Sequence, residues 1–237
     1  MSEIRAIINE AAVVAKMRGE TYQWFARIFA NELTESDVTL YQEGALNTLL
    51  ALFSEIGLAL EVDQVKSAID RFSEIEHVEV ELRADFASCF LLDDQSGAIP
   101  YASLYLGDGD MMYAEAERKM RELLSKSGLA ILDSFKEPSD HLAIYLALLQ
   151  KWCEQLVRDL EAQDEDSTLL KSEYIAQQTF LQEGLLLWVP LWNERLQRVT
   201  NCRCTFYSAM GSLLVAYLLA DNDYLTAEIE RLIALDV

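Results

Sequence analysis

The sequence predicts an all-α protein, on three observations. Leu, Ala and Glu dominate, and these residues, like Gln, favour helix. Only nine glycines and three prolines punctuate the 237 residues, too few for a chain of many strands and turns. Apolar residues recur at three- and four-residue spacing through most of the chain. At 51% apolar, the chain has material for one large domain or two small ones, each with a core.

The elements follow in order. Tyr22, Phe25, Ala26 and Phe29 form one stripe of an opening helix, widened by Trp24 and Ile28. An apolar segment covers Leu46 to Ile56, and Val65, Ala68, Ile69 and Phe72 repeat the helical spacing. Residues 78–90 fit two patterns. Val78, Val80 and Leu82 alternate as in a strand, whereas Val78, Leu82, Phe86, Cys89 and Phe90 share a helical face. Helix is the consistent choice, because the neighbours are helical and no partner strand is available. "DDQSGAIPYASLYLGDGD", residues 93–110, is a long loop, a length often associated with function. Its Ile99, Pro100, Tyr101, Leu104, Tyr105 and Leu106 either pack on the body or line a binding surface, and packing is expected for most. Asp110 suits the cap of the next helix, whose Met112, Ala116, Met120, Leu123 and Leu124 end near Gly128. A connection at 128–137 leads to Leu142, Tyr145, Leu146, Leu149, Trp152, Cys153 and Leu156, again at helical spacing. "EAQDEDS", residues 161–167, reads as an acidic solvated loop. Three helices follow, near 168–198, 204–220 and 222–235, with Pro190 kinking or splitting the first. Trp152, Trp188 and Trp192 read as core. The sum is a helical globule of roughly ten helices at ordinary helix length. It falls into two sequence halves, 1–130 and 141–237, joined by a hinge-like connection at 131–140.

Charge narrows the partners. Forty acidic against 19 basic side chains leave a net charge of -21, a surface that repels phosphate backbones and attracts basic peptides. Nucleic acid is therefore not expected as a partner. The opening "MSEIRAIINEAAVVAKMRGE" lacks the basic-then-apolar order of a secretory signal, and no apolar run reaches spanning length. A cytoplasmic chain without a membrane partner is expected. Cys89, Cys153, Cys202 and Cys204 then read as reduced thiols. Cys202-x-Cys204 lacks the two further ligands of a structural zinc site, so no metal or cofactor is assigned.

Enzymatic readings fail on inventory. The chain has no GxxxxGK[ST] loop and no GxGxxG after a strand, and its only histidines are His77 and His141. In "FKEPSDHLAIYLALL", residues 135–149, Ser139, Asp140 and His141 are consecutive and point in different directions, so they form no relay by themselves. No catalytic residue is assigned. Pro138 suits the first turn of the helix that follows, and Ser139 or Asp140 can cap its free amides. His141, at the positive end of that helix, should titrate low unless Asp140 offsets the dipole. Either it bonds a nearby loop as a neutral imidazole or it touches a ligand. His77, in an acidic run, reads as solvated.

"EPSDHLAIYLALL" resembles the E-P-x-D-H-x-x-x-x-L signature of the TorD/DmsD group of redox-enzyme maturation chaperones, through Glu137, Pro138, Asp140, His141 and Leu146. "AIPYASLYLGD" resembles that family's P-[YW]-x-S-x-[YW] loop, through Pro100, Tyr101, Ser103 and Tyr105. "LRADFASCFLL" is similar to the apolar helix preceding the loop, and Tyr101 with "DHLAIYL" points to the TorD branch. The resemblance implies a cytoplasmic, all-helical chaperone for a molybdenum reductase, trimethylamine N-oxide reductase first among candidates. Such a protein binds the apoenzyme and its twin-arginine signal peptide, and aids molybdenum cofactor insertion before export. By motif, Tyr101, Ser103, Tyr105, Glu137, Pro138, Asp140 and His141 are the binding candidates, with Asp85 and Phe86 from the preceding helix. Asp140 would meet the basic pair of the client, and Tyr101 and Tyr105 its apolar part. A hinge at 128–139 would also allow a homodimer by domain swapping. Two other readings stay open: a weak nucleotide-binding or hydrolysing helical protein using Asp140–His141, and a generic acidic helical adaptor.

Overall fold

Small residues set the first packing decision. Ala11, Ala15 and Gly19 recur every four residues on α1 (Glu3–Ala30) and so share one face. At Gly19 the neighbouring helix α7 (Leu142–Ala162) comes so close that an added Cβ would lie 3.3 Å from Cys153 Cβ. α1 makes its most extensive contact with α7. Of the stripe expected from spacing, Tyr22, Phe25 and Phe29 are almost fully buried, as is Ile28 beside it, while Ala26 and Trp24 are half-buried against the core. The computed structural model describes residues 3–92, 96–106, 110–132, 135–162 and 167–235.

Among the described residues the fold is all-α, with ten α-helices and no strand. α2 (Glu35–Gln42) begins at a capping box: the Thr34 hydroxyl accepts from Asp37 N–H, and Asp37 accepts from Thr34 N–H at 2.9 Å. α3 (Asn47–Glu55) ends on Gly57 at φ +94°, with Leu58 N–H bonded to the Phe53 carbonyl. α4 (Ala59–Asp70) continues into a 3₁₀ turn at Arg71–Glu74. Residues 78–90 are helix, α5 (Val78–Phe90), as expected. α6 (Asp110–Lys126) closes at Gly128, as its sequence predicts. The side chains of Asp110 and Met112, and most of the acidic 161–167 segment, lie outside the described residues. α8 (Ser167–Phe180) runs into a π turn at Leu181–Leu185, and Pro190 sits in the first turn of α9 (Val189–Leu196), where its missing N–H costs nothing. Trp188 and Trp192 are fully buried, whereas Trp152 is half-buried, packing against the core on one side and lining a groove on the other.

One expectation is corrected. The two helices read at 204–220 and 222–235 are a single helix, α10 (Phe206–Leu235). The polar Asp221-Asn222-Asp223 looks like a break, but Asp221 is only 4% exposed and is answered across the core. Its carboxylate takes Arg18 Nε at 2.6 Å, Arg18 Nη2 at 2.9 Å and the Tyr22 hydroxyl at 2.5 Å. Gln177 accepts from Arg18 Nη1 at 2.8 Å. With its charge paired, Asp221 need not face water and the helix continues.

Buried side chains from Ile7 to Leu232 form one continuous cluster, α1 lies on α7, and α10 packs on α4. Among the described residues no helix is long and apolar enough to cross a membrane.

Candidate functional site

The two signature segments meet. Ala102 N–H donates to the Asp140 carbonyl at 3.0 Å and Leu142 N–H to the Pro100 carbonyl at 2.8 Å, an antiparallel bridge between Tyr101 and His141. The Tyr101 hydroxyl donates to the Glu137 carboxylate. Ser103 N–H donates to Asp140 Oδ2 at 2.9 Å. The loop after α5 is thus stitched to the connection before α7 by main chain and by two carboxylates.

His141, and neither Ser139 nor Asp140, caps α7. Its Nδ1 accepts from Ala143 N–H at 3.0 Å, which fixes the neutral tautomer with the proton on Nε2. Tyr101 and Phe135 close over the imidazole edge-on, at 5.6 and 5.4 Å between ring centres. Burial pushes its pKa down to about 4, so it titrates low as expected. Pro138 lies in a turn before the helix, its carbonyl accepting from His141 N–H, and not in the first helical turn. The Tyr101 phenol is raised by burial and by Glu137; burial pushes Tyr105 up to about 12.

The far side of the loop is fastened as firmly. Cys89's carbonyl accepts Ala98 N–H at 2.6 Å, Arg195 Nε donates to Gly97 O at 2.7 Å, and Trp192 Nε1 donates to Ala98 O at 2.8 Å. Gly97 permits this close approach, since a Cβ would crowd the Cys89 carbonyl oxygen at 3.0 Å. Tyr105 bonds the Ile99 carbonyl and stacks on Trp188. One helix away, the Asp85 carboxylate takes Arg203 N–H at 2.8 Å and Cys204 N–H at 2.6 Å, and Phe86 packs edge-on against Phe90 and Tyr207.

Accessibility divides the nine candidates. Asp85, Phe86, Asp140 and His141 are buried, Tyr101, Ser103, Tyr105 and Glu137 are half-buried, and Pro138 is exposed. Asp140, 2% exposed, does not offer its carboxylate to solvent as its sequence context suggests. Nor do Asp140 and His141 act on each other: each is engaged with a different backbone amide.

Beside the end of this loop an open groove of about 810 Å³ runs between α6, α7 and α8. Leu106, Met120, Leu123, Trp152, Phe180 and Leu187 give it an apolar floor, and Glu115, Glu122 and Glu183 stand with Lys119 and Lys126 around them. Phe180 meets Trp152 edge-on at 5.1 Å and stacks on Tyr145 at 5.5 Å, and Trp152 Nε1 donates to Ser127 Oγ at 3.2 Å.

The family described as "Nitrate reductase delta subunit" matches residues 39–194, a span holding both signature segments. A "Chaperone protein TorD" of Vibrio atlanticus is 32% identical over 214 residues, 90% of this chain and 96% of its own. Another, of a Psychrobacter species, is 34% identical over 210 residues, 88% of this chain and 91% of its own. The chain belongs to the TorD family of chaperones. The resemblance read from Pro100–Tyr105 and Glu137–Leu146 is therefore upheld.

Sequence reasoning missed the groove of this TorD-family chain. Its walls come from three helices, and Met120, Trp152 and Phe180 each look like ordinary core residues along their own helix. No single stretch of the chain signals it, because its lining comes together only when the helices pack.

Proposed function

We propose that this chain is a cytoplasmic chaperone of a molybdoreductase, trimethylamine N-oxide reductase being the first candidate. It binds the apoenzyme and its twin-arginine signal peptide ahead of molybdenum cofactor insertion and export. The observation that carries the reading is the groove beside the signature loop on a chain of net charge -21. The rim of its apolar floor holds Glu115, Glu122 and Glu183 together with Lys119 and Lys126. Glu115 is paired to Lys119 and Glu122 to Arg118, while Glu183 is in no ion pair among the described residues. A twin-arginine peptide has the complementary order, a basic pair followed by an apolar run. The pair meets the carboxylates, whose field also speeds encounter, and the run lies over Trp152, Phe180 and Leu187. Tyr101, Ser103, Tyr105, Glu137 and Pro138 supply the adjoining contact surface. Asp85, Phe86, Asp140 and His141 hold that surface in shape from below.

The test is isothermal titration of a twin-arginine signal peptide against the full chain and against Trp152→Ala and Glu183→Gln. Each substitution is expected to weaken binding several-fold, and a peptide with both arginines replaced by alanine to bind more weakly still. Equal affinity for both peptides, or binding indifferent to Trp152 and Glu183, removes the groove from the proposal.

A further inference from the structure

Two thiols from distant parts of the chain lie in contact. Cys89 near the end of α5 and Cys202 in the connection before α10 are 113 residues apart, yet their sulfurs are 3.3 Å from each other. Cys89 is buried and Cys202 half-buried. Both belong to the frame under the signature loop. The Cys89 carbonyl anchors Ala98, and Asp85, one turn before Cys89, holds the amides that follow Cys202. From this geometry we infer that Cys89 and Cys202 form a peroxide-sensitive dithiol, which closes to a disulfide and latches the 200–204 connection to α5.

The sulfurs need to close by about 1.2 Å to reach bonding distance, a side-chain rotation on one partner and a loop adjustment on the other. Chemistry assigns the order of events. Cys202 is the more accessible sulfur and the nucleophile, and its contact with Cys89 holds its thiol below the ordinary range, against burial and the Asp85 carboxylate. Cys89 is held in the thiol form by the same contact and by burial. The Cys202 thiolate attacks hydrogen peroxide, the O–O bond breaks, and Cys202 becomes a sulfenic acid as hydroxide leaves. Cys89 sulfur then displaces the sulfenic oxygen, which departs with the Cys89 proton as water, and the S–S bond forms. Both sulfurs are oxidised by one electron each and the peroxide is reduced to water. Cys204 takes no part, because its backbone is fixed to Asp85 and no sulfur contact joins it to Cys89 among the described residues.

The experiment treats the reduced full chain with hydrogen peroxide, alkylates the remaining thiols and maps the non-reduced digest by mass spectrometry. A peptide pair linked through Cys89 and Cys202 is expected, together with a melting temperature raised by several degrees and restored by dithiothreitol. Cys204→Ser should keep the link and the shift. Cys202→Ser, a mild change at a half-exposed loop position, should lose both while melting as the reduced protein does. A Cys202–Cys204 link, oxidation of Cys202 to the sulfinic acid with Cys89 still alkylatable, or no oxidation of either thiol would overturn the inference.

Discussion

Asp140 is where sequence and structure assign different duties, and one pair of substitutions separates them. Its Oδ2 accepts Ser103 N–H at 2.9 Å from a side chain 2% exposed, so Asp140→Ala leaves that amide without its acceptor. A hydrogen bond to a charged group contributes about 1.5–3 kcal/mol. For a chain of this size each kcal/mol moves Tm by about 2–4 °C, so Asp140→Ala should melt about 3–12 °C lower. Asp140→Asn has the same shape and keeps a carbonyl oxygen for Ser103, so the bond falls to the neutral range and the loss to about 1 kcal/mol. Peptide affinity tells the two roles apart. With a supporting role, Asp140→Asn binds the twin-arginine peptide within about two-fold of the parent, while Asp140→Ala loses affinity together with its melting temperature. With a direct contact to the arginine pair, losing the charge alone weakens binding about ten-fold or more, as loss of one partner of a desolvated pair does. Calorimetric titration and thermal melts on the same samples decide it. Wild-type stability with ten-fold weaker binding in Asp140→Asn would refute the supporting role.

Three further outcomes are expected. His141 is held at about 4 in the fold against 6.5 unperturbed, so the unfolded chain binds the extra proton first, and stability should fall by about 3 kcal/mol as pH drops from 6.5 to 4. His141→Asn keeps an acceptor for Ala143 N–H and should flatten that part of a urea-stability profile against pH; an unchanged profile would show that another group titrates there. Asp221→Ala leaves the Arg18 guanidinium buried without its partner and should cost about 3–5 kcal/mol by urea unfolding, whereas Arg18→Met combined with Asp221→Leu should recover most of it; a single-mutant loss under about 1 kcal/mol contradicts the pairing. If the 131–140 connection straightens, every contact of 142–237 with 1–130 can be made between two chains, so concentrated protein should yield a dimer that reverts slowly on dilution. Light scattering that finds only monomer at high concentration would exclude it.

The fold was legible wherever one helix decides its own fate. The aromatic stripe of α1 and the stop at Gly128 depend on local spacing and a local φ requirement, whereas 78–90, whose spacing fits strand and helix alike, was decided by its helical neighbours. Where a partner element decides, the sequence misled. Asp221 reads as a helix end because Arg18, 203 residues away, is invisible along the chain. The cap of α7 went to His141 and not to Asp140, because Ser103 claims the aspartate from another segment. The Thr34–Asp37 box that starts α2 was in plain view in "TESD" but is flanked by no strong apolar stripe. In the candidate site, both signature segments were legible as motifs. Their meeting as a bridge was not, nor was the groove they adjoin, since Trp152 and Phe180 become neighbours only after α7 and α8 pack.

The carboxylates of this protein do two kinds of work, and burial sorts them. The forty acidic residues against 19 basic ones create a collective negative field, which a basic peptide would feel at a distance. Asp85 and Asp140 are different. Each is 2% exposed, and each spends its oxygens on backbone amides of another segment, residues 203 and 204 in one case and 103 in the other. Such a group is costly to bury and worse to remove, because its deletion strands amides that water does not readily reach. Buried acids of this kind therefore mark joints. One joint fixes the start of α10 against α5, and the other fixes the signature loop against the start of α7. Two loops held this rigidly present Tyr101, Tyr105 and the adjoining groove in one arrangement, which lowers the ordering cost of binding a flexible peptide. On this view the signature's aspartate contributes to recognition by keeping the loop in place, while charge attraction comes from the net negative charge of the chain and, at the groove, from Glu183, since Glu115 and Glu122 are paired with Lys119 and Arg118.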